Sequence, residues 1–256
     1  MQKTLTPAER LIVAADFKPS PKNSGSTSPV RFPDRVEIQR KVLDLADSLK
    51  GTGVYLKVNS ALRACGYDLI GEIQSRGLRV FADLKLIDIP NTLTDDGVFL
   101  REAKPKLLTV VCSAGVSGMK ALASELPDTE ILGITILTSL KDGDALDMFS
   151  CLVSQAVVRF AHQAMRAGID GLVCSPKEAP VMRSLILPEM TINTLAIRPA
   201  WAIVPGDDQN PERIMTPVKA IKAGADRIVV GCPIVKDKNP YDAVMRTIDE
   251  IASAVS

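Results

Sequence analysis

The chain has 256 residues, of which 46% are hydrophobic and 24% charged, and its formal net charge is +1. This length allows one large α/β domain or two small ones, and the balanced charge argues against a nucleic-acid-binding stripe or a membrane-binding face. No apolar run is long enough to span a membrane and the N-terminus lacks the apolar core of a signal peptide, so a cytoplasmic protein is expected.

Strand-like and helix-like segments alternate along the whole chain. Apolar runs predict strands at 11–15, 54–58, 78–84, 106–111, 130–137, 171–174, 191–197 and 227–230. Helices are predicted at 34–49, 60–75, 92–103, 116–126, 149–167, after Ser175-Pro176, at 217–223 and at 241–255. Loops are predicted at 18–33, as an insertion, and at 198–211. Eight strand–helix pairs predict a single (β/α)8 TIM barrel over residues 1–256, with a doubly wound open sheet as the alternative.

The cysteines and the histidine exclude several kinds of site. The five cysteines are scattered and none forms a C-x-x-C pair, which argues against a zinc site and a disulfide framework. The single histidine, His162, lies within a predicted helix. Acid–base chemistry must therefore come from lysine, aspartate or glutamate.

In a barrel of this kind the active site lies at the carboxyl ends of the strands. That rule selects Asp16, Lys57, Asp83, Lys85, Thr138, Arg198, Gly231 and Cys232. Lys57 is the most informative, because a lysine inside an apolar strand must meet a polar partner or extend to the barrel mouth. Phosphate binding is expected in the loops after strands seven and eight, 198–211 and 230–233. Solvated strand ends and ordinary surface loops are the alternatives.

The third predicted strand leads into the run D-L-K-L-I-D-I-P-N-T at 83–92. Its charges alternate at Asp83, Lys85 and Asp88, and such charges are costly to bury unless they pair. A surface ladder of salt bridges is the simpler alternative. The complete run resembles the signature of the orotidine 5′-monophosphate decarboxylase family, whose members form UMP. The resemblance extends from about Arg10 to about Ile251.

Other segments resemble the same family in the same order along the chain. The resemblance assigns Asp16 to the ribose, Lys57 to the second-strand lysine and Thr138 to the pyrimidine. Arg198 and Gln209 match its phosphate-side loop, although two extra residues follow Gln209 before the next matching segment.

The resemblance also implies a mechanism without a cofactor or a metal. Lys57, Asp83, Lys85 and Asp88 would form a chain of alternating charge, in which Lys85 stabilises a carbanion at C6 and protonates it. Asp88 and Thr92 of family members reach into the neighbouring subunit's site, so a homodimer is expected. The only other partner expected is the nucleotide.

One position departs from the family pattern. The last-strand loop of the family reads Gly-Arg-Pro and its arginine holds the phosphate, whereas this chain has Gly231, Cys232 and Pro233. A thiol cannot replace a bidentate guanidinium, and one charged hydrogen bond contributes about 1.5–3 kcal/mol. Both affinity and rate are therefore expected to be lower.

Two other functions remain open at this point. One is a magnesium-dependent sugar-phosphate decarboxylase or hexulose-phosphate synthase, which shares D-x-K-x-x-D; the I-P-N-T sequence at 89–92 argues against it. The other is a catalytically silent barrel that binds a nucleotide or a partner, against which the four charged residues argue, because unused buried charges are costly.

Overall fold

A computed structural model of the chain describes residues 4–18, 33–203 and 215–255. The strands are β1 (Leu11–Ala14), β2 (Tyr55–Val58), β3 (Arg79–Leu86), β4 (Leu107–Val111), β5 (Glu130–Ile134), β6 (Gly171–Cys174), β7 (Thr191–Thr194) and β8 (Arg227–Val230). Each strand coincides with an apolar run in the sequence and is mostly buried, as expected of parallel strands that are covered by helices.

The helices between the strands form the outer layer. They are α1 (Pro33–Ser48), α2 (Ser60–Cys65), α3 (Asp68–Gln74), α4 (Pro90–Ala103), α5 (Gly115–Glu125), α6 (Asp142–Phe149), α7 (Val153–Ala167), α8 (Ala179–Leu185), α9 (Pro217–Lys222), α10 (Cys232–Val235) and α11 (Pro240–Val255). Short 3-10 helices cover Ala8–Arg10, Cys112–Ala114 and Ala200–Ala202. None of the helices in the described ranges is long and apolar enough to cross a bilayer.

The eight parallel strands close into a barrel in sequence order. β1 pairs with β2 on one side and with β8 on the other, where Leu11 lies opposite Ile228. This closure confirms the predicted (β/α)8 barrel, and the doubly wound alternative is wrong. Most core residues lie between the strands and the helices, while a smaller cluster of inward-facing side chains, including Ile12, Phe81 and Leu132, fills the barrel.

Some predicted boundaries were wrong for local backbone reasons. The helix predicted at 60–75 is two helices, because Gly66 adopts a positive φ of 88° between α2 and α3. The helix predicted at 149–167 begins only at Val153, because a separate helix that was not predicted, α6, precedes it and is capped by Ser150 in the left-handed region. The predicted loop insertion at 18–33 falls almost entirely outside the described residues.

A buried ion pair lies across the N-terminal end of the barrel. Arg227, the first residue of β8, is 1% exposed, and its two terminal nitrogens donate to the carboxylate oxygens of Glu130 at 2.8 and 3.0 Å. The same guanidinium donates to Asn193 Oδ1 at 3.3 Å and stacks 5.3 Å from the ring centroid of Tyr55. This end of the barrel is therefore held by charge as well as by packing.

Candidate active site

Three adjacent strands bring Asp16, Lys57 and Asp83 together at the opposite, C-terminal end of the barrel. Asp16 follows β1, Lys57 lies in β2 and Asp83 lies in β3. The Lys57 Nζ atom lies 3.0 and 3.1 Å from the two Asp16 carboxylate oxygens and 3.2 Å from Asp83 Oδ2. Lys57 is thus buried in its strand because two carboxylates receive its ammonium group.

Lys85 extends this network at the end of β3. Its Nζ atom lies 2.6 Å from Asp83 Oδ1, so a chain of alternating charge runs through Asp16, Lys57, Asp83 and Lys85. The Lys85 backbone has a φ of +51°, which non-glycine residues seldom adopt. This conformation lies where the β3–β4 register shifts between Ala82 and Leu86. A local irregularity of the strand therefore sets the direction of the lysine.

Thr109, in the middle of β4, forms hydrogen bonds to both residues of the Asp83–Lys85 pair. Its hydroxyl donates to Asp83 Oδ1 at 3.1 Å and accepts a hydrogen bond from the Lys85 backbone N–H at 2.9 Å. Thr109 is fully buried. Sequence reasoning missed this residue, although a polar side chain within an apolar strand was the same signal that identified Lys57.

The charges around Asp83 keep it ionised. Burial raises the pKa of this carboxyl, but the ammonium groups of Lys57 and Lys85 outweigh burial, so its pKa lies below the ordinary value for aspartate. Asp83 is only 4% exposed, so little water competes for its oxygens. At neutral pH the site therefore presents one buried carboxylate between two ammonium groups.

Two cavities open beside this network and meet at Leu195. The first, of about 120 Å³, combines Asp83 and Lys85 with mostly apolar side chains. Its other lining residues are Phe81, Ile134, Ile136, Leu137, Thr138, Ser139, Val173, Cys174 and Leu195. The second, of about 270 Å³, is lined by Ala14, Asp16, Lys57, Leu195, Ala196, Ile197, Arg198, Val229, Gly231, Cys232 and Pro233. A more polar cavity, lined by Asp16 and Lys57, thus adjoins a mostly apolar one, lined by Asp83 and Lys85.

The start of the loop predicted at 198–211 is held by the last helix. After the left-handed Ala196, Arg198 enters the second cavity and the chain forms the 3-10 helix Ala200–Ala202. The Glu250 carboxylate of α11 accepts a hydrogen bond from the backbone N–H of Ala200 at 3.2 Å. These contacts fix the described part of the loop against the barrel.

The remaining predicted site residues lie outside the charge chain. Asp88 is exposed, and its Oδ1 atom accepts a hydrogen bond from the backbone N–H of Ile89 at 2.7 Å. Thr92 is half-buried in the first turn of α4. Within the described part of one chain, neither Lys57 nor Lys85 forms an ion pair with Asp88. Gln209 lies outside the described residues.

No dedicated metal site is evident in the ranges 4–18, 33–203 and 215–255. These ranges contain no group of three or more histidine, cysteine, aspartate or glutamate side chains arranged to hold a metal ion. Asp16 and Asp83 instead share the ammonium group of Lys57.

Comparison with known proteins agrees with this geometry. Residues 9–247 match the model of the orotidine 5′-phosphate decarboxylase / HUMPS family. An orotidine 5′-phosphate decarboxylase from Afipia carboxidovorans is 35% identical over 99% of both chains. One from Rhodopseudomonas palustris strain BisB5 is 40% identical over 75% of this chain and 80% of its own.

A solved structure gives the same result. The crystal structure of orotidine 5′-phosphate decarboxylase from Lactobacillus acidophilus superimposes with a TM-score of 0.71 and 26% identity. The match covers 95% of this chain and 99% of the other. The family match and the two relatives each cover most of the chain, and the barrel superimposes on that of the solved structure. The chain therefore belongs to the orotidine 5′-phosphate decarboxylase / HUMPS family.

Proposed function

We propose that this protein is a carboxy-lyase that converts orotidine 5′-monophosphate to UMP in pyrimidine biosynthesis, in the cytoplasm and with no cofactor. The observation that carries the proposal is the continuous charge chain Asp16–Lys57–Asp83–Lys85 at the barrel mouth. Residues 1–256 would form a single catalytic domain, since the family match covers most of them.

The chemistry requires a cation beside the reacting carbon. When the bond from C6 to the carboxylate breaks, CO2 leaves and the electron pair stays on C6 in the ring plane, where the ring cannot delocalise it. In this proposal Lys85 Nζ lies next to C6, stabilises that pair and then transfers a proton to it. Asp83 holds the ammonium group in place and lies near the departing carboxylate.

The two cavities suit the two ends of the substrate. The apolar lining beside Lys85 suits the pyrimidine ring and a neutral CO2 product, with Thr138 available for a polar contact with the ring. The polar cavity beside Asp16 suits the ribose and the phosphate. Arg198, with Gly231 and Cys232 at the end of β8, would bind the phosphate there, and Gln209 is the remaining phosphate-side candidate.

The assay that tests this function follows the loss of orotidine 5′-monophosphate absorbance with EDTA present. The parent protein and a Cys232→Arg variant are compared. Turnover is expected to survive EDTA, and Cys232→Arg is expected to raise kcat/KM by about 10- to 100-fold, because one bidentate charged hydrogen bond contributes about 1.5–3 kcal/mol.

Matched variants at the same position separate charge from geometry. Cys232→Lys adds a charge without the planar fork and is expected to gain less, whereas Cys232→Ser adds no charge and is expected to gain nothing. No turnover in either the parent or Cys232→Arg would refute the decarboxylase proposal. Loss of orotidine 5′-monophosphate absorbance that EDTA abolishes and magnesium restores would contradict the metal-free mechanism.

We also propose that the protein is a homodimer in which Asp88 and Thr92 complete the partner's site. Asp88 lies outside its own chain's network, at a surface rich in apolar side chains. Its chain neighbours Ile87 and Ile89 are 56% and 65% exposed, and Phe99, further along α4, is 67% exposed. Large exposed apolar side chains grouped in this way are typical of a protein interface, and a second copy would cover them while bringing Asp88 to the opposite Lys85.

Coexpression of two inactive variants tests the shared site. A mixture of Lys85→Ala and Asp88→Ala chains is expected to regain about a quarter of the parental activity, because half the dimers are mixed and each has one intact site. Lys85→Ala coexpressed with Asp83→Ala is the control and is expected to stay inactive, since both residues belong to the same chain's site. Equal activity of the two mixtures would contradict the shared site.

A further inference from the structure

Thr109 lies where the ladder between β3 and β4 is interrupted. Ala82 pairs with Leu108, and the next pair is Leu86 with Val110. Three residues of β3 therefore lie opposite the single residue Thr109. At this gap its hydroxyl accepts the Lys85 N–H at 2.9 Å, a hydrogen bond that a regular ladder would give to a backbone carbonyl.

The Thr109 hydroxyl acts both as an acceptor and as a donor. Its lone pair receives the Lys85 N–H, and its single proton goes to Asp83 Oδ1 at 3.1 Å. This is the same oxygen that Lys85 Nζ contacts at 2.6 Å. The buried Thr109 side chain thus forms hydrogen bonds both to the backbone N–H of Lys85 and to the carboxylate of Asp83.

We infer that Thr109 is a positioning residue for the reaction, an inference that rests on the function proposed for Asp83 and Lys85. The left-handed backbone of Lys85 is costly for a residue with a Cβ and persists only where the surroundings hold it. Thr109 supplies part of that restraint and directs Lys85 Nζ into the cavity that Lys85 and Asp83 line. It lines neither of the two cavities, so its contribution reaches the substrate through Lys85 and Asp83.

The test replaces the hydroxyl by a methyl group of nearly the same shape. Thr109→Val is expected to lower kcat by about 10- to 100-fold without raising KM, since it removes a hydrogen bond to a charged group. Thr109→Ser, which keeps the hydroxyl, is expected to recover most of that loss. Thr109→Ala, compared with Thr109→Ser, makes the same test if the valine variant does not fold.

Thr194 in β7 offers a matched control. It is also fully buried, but its hydroxyl has no hydrogen-bond partner among the residues that the structure describes. Thr194→Val is therefore expected to keep the parental kcat and KM. Parental kcat in Thr109→Val, or an equal loss in Thr109→Ser and Thr109→Val, would overturn the inference.

A Lys85→Ala variant in the same panel separates the two levels of failure. If Lys85→Ala is inactive while Thr109→Val has full activity, the role of Thr109 alone is wrong. If Lys85→Ala keeps its turnover, the catalytic assignment of Lys85 is wrong, and the inferred role of Thr109 is then wrong as well.

Discussion

Replacing Lys85 by alanine is expected to lower kcat by at least about 10⁴-fold, because the proposed mechanism uses Lys85 both as the cation beside C6 and as the proton donor. A positioned general acid contributes about 10²–10⁴-fold and a preorganised electrostatic contact about 10²–10³-fold. The ammonium group of Lys57 stays bound between Asp16 and Asp83, so it is not free to take over the proton transfer. Steady-state turnover and single-turnover rates with orotidine 5′-monophosphate measure the loss.

Lys104 provides a closely matched control for this change. It also has a left-handed backbone, with a φ of +49° against +51° for Lys85, but it lies exposed at the end of α4. Lys104→Ala therefore reproduces the loss of a lysine at a strained position away from the site, and it is expected to retain full activity. Turnover of Lys85→Ala within tenfold of Lys104→Ala would show that the proton comes from another group.

Replacing Arg227 by methionine is expected to destabilise the fold by about 3–5 kcal/mol, because the carboxylate of Glu130 would remain buried without its counter-ion. For a chain of this size that corresponds to a melting temperature lower by roughly 6–20 °C. Thermal unfolding followed by circular dichroism measures the change. The network is at the end of the barrel away from the charge chain, so kcat of the folded variant is expected to be unchanged.

A surface arginine and a double variant complete the comparison. Arg40 pairs with Asp44 at 3.0 Å on an exposed helical face, and Arg40→Met is expected to cost less than about 0.5 kcal/mol. Removing Glu130 together with Arg227 is expected to recover part of the stability, because no charge is then left buried alone. Equal melting temperatures for Arg227→Met and Arg40→Met would contradict the structural role of the ion pair.

The barrel could be predicted because each strand has a local signal in the sequence. Apolar runs separated by helix-length segments mark all eight strands, and the β1–β8 closure adds only their final pairing. Lys57 was also predictable, since a charge within an apolar strand needs a partner. Thr109 carries the same signal more weakly, because threonine is common in strands.

Other features depend on contacts that no local pattern encodes. Glu130 and Arg227 lie 97 residues apart and meet only when the barrel closes. The left-handed backbone of Lys85 has no sequence signal either, because glycine is the residue usually found in that region. The pairing of Asp16 with Lys57 likewise appears only when β1 and β2 lie side by side, with Ala14 opposite Lys57.

The two cavities occupy separate arcs of the barrel, and this separation has an evolutionary consequence. The cavity beside Lys85 draws its side chains from β3, β5 and β6, and the cavity beside Asp16 from β8, β1 and β2, with the segment after β7 shared at Leu195. The ion pair between Lys57 and Asp83 ties the two arcs together, but a substitution at a residue outside that pair leaves the side chains of the other arc in place. Cys232 is such a position, because it lines the cavity beside Asp16 and is absent from the lining of the cavity beside Lys85. If the cavity beside Asp16 binds the phosphate as proposed, the same separation would let descendants keep that binding site and acquire new chemistry at the opposite arc.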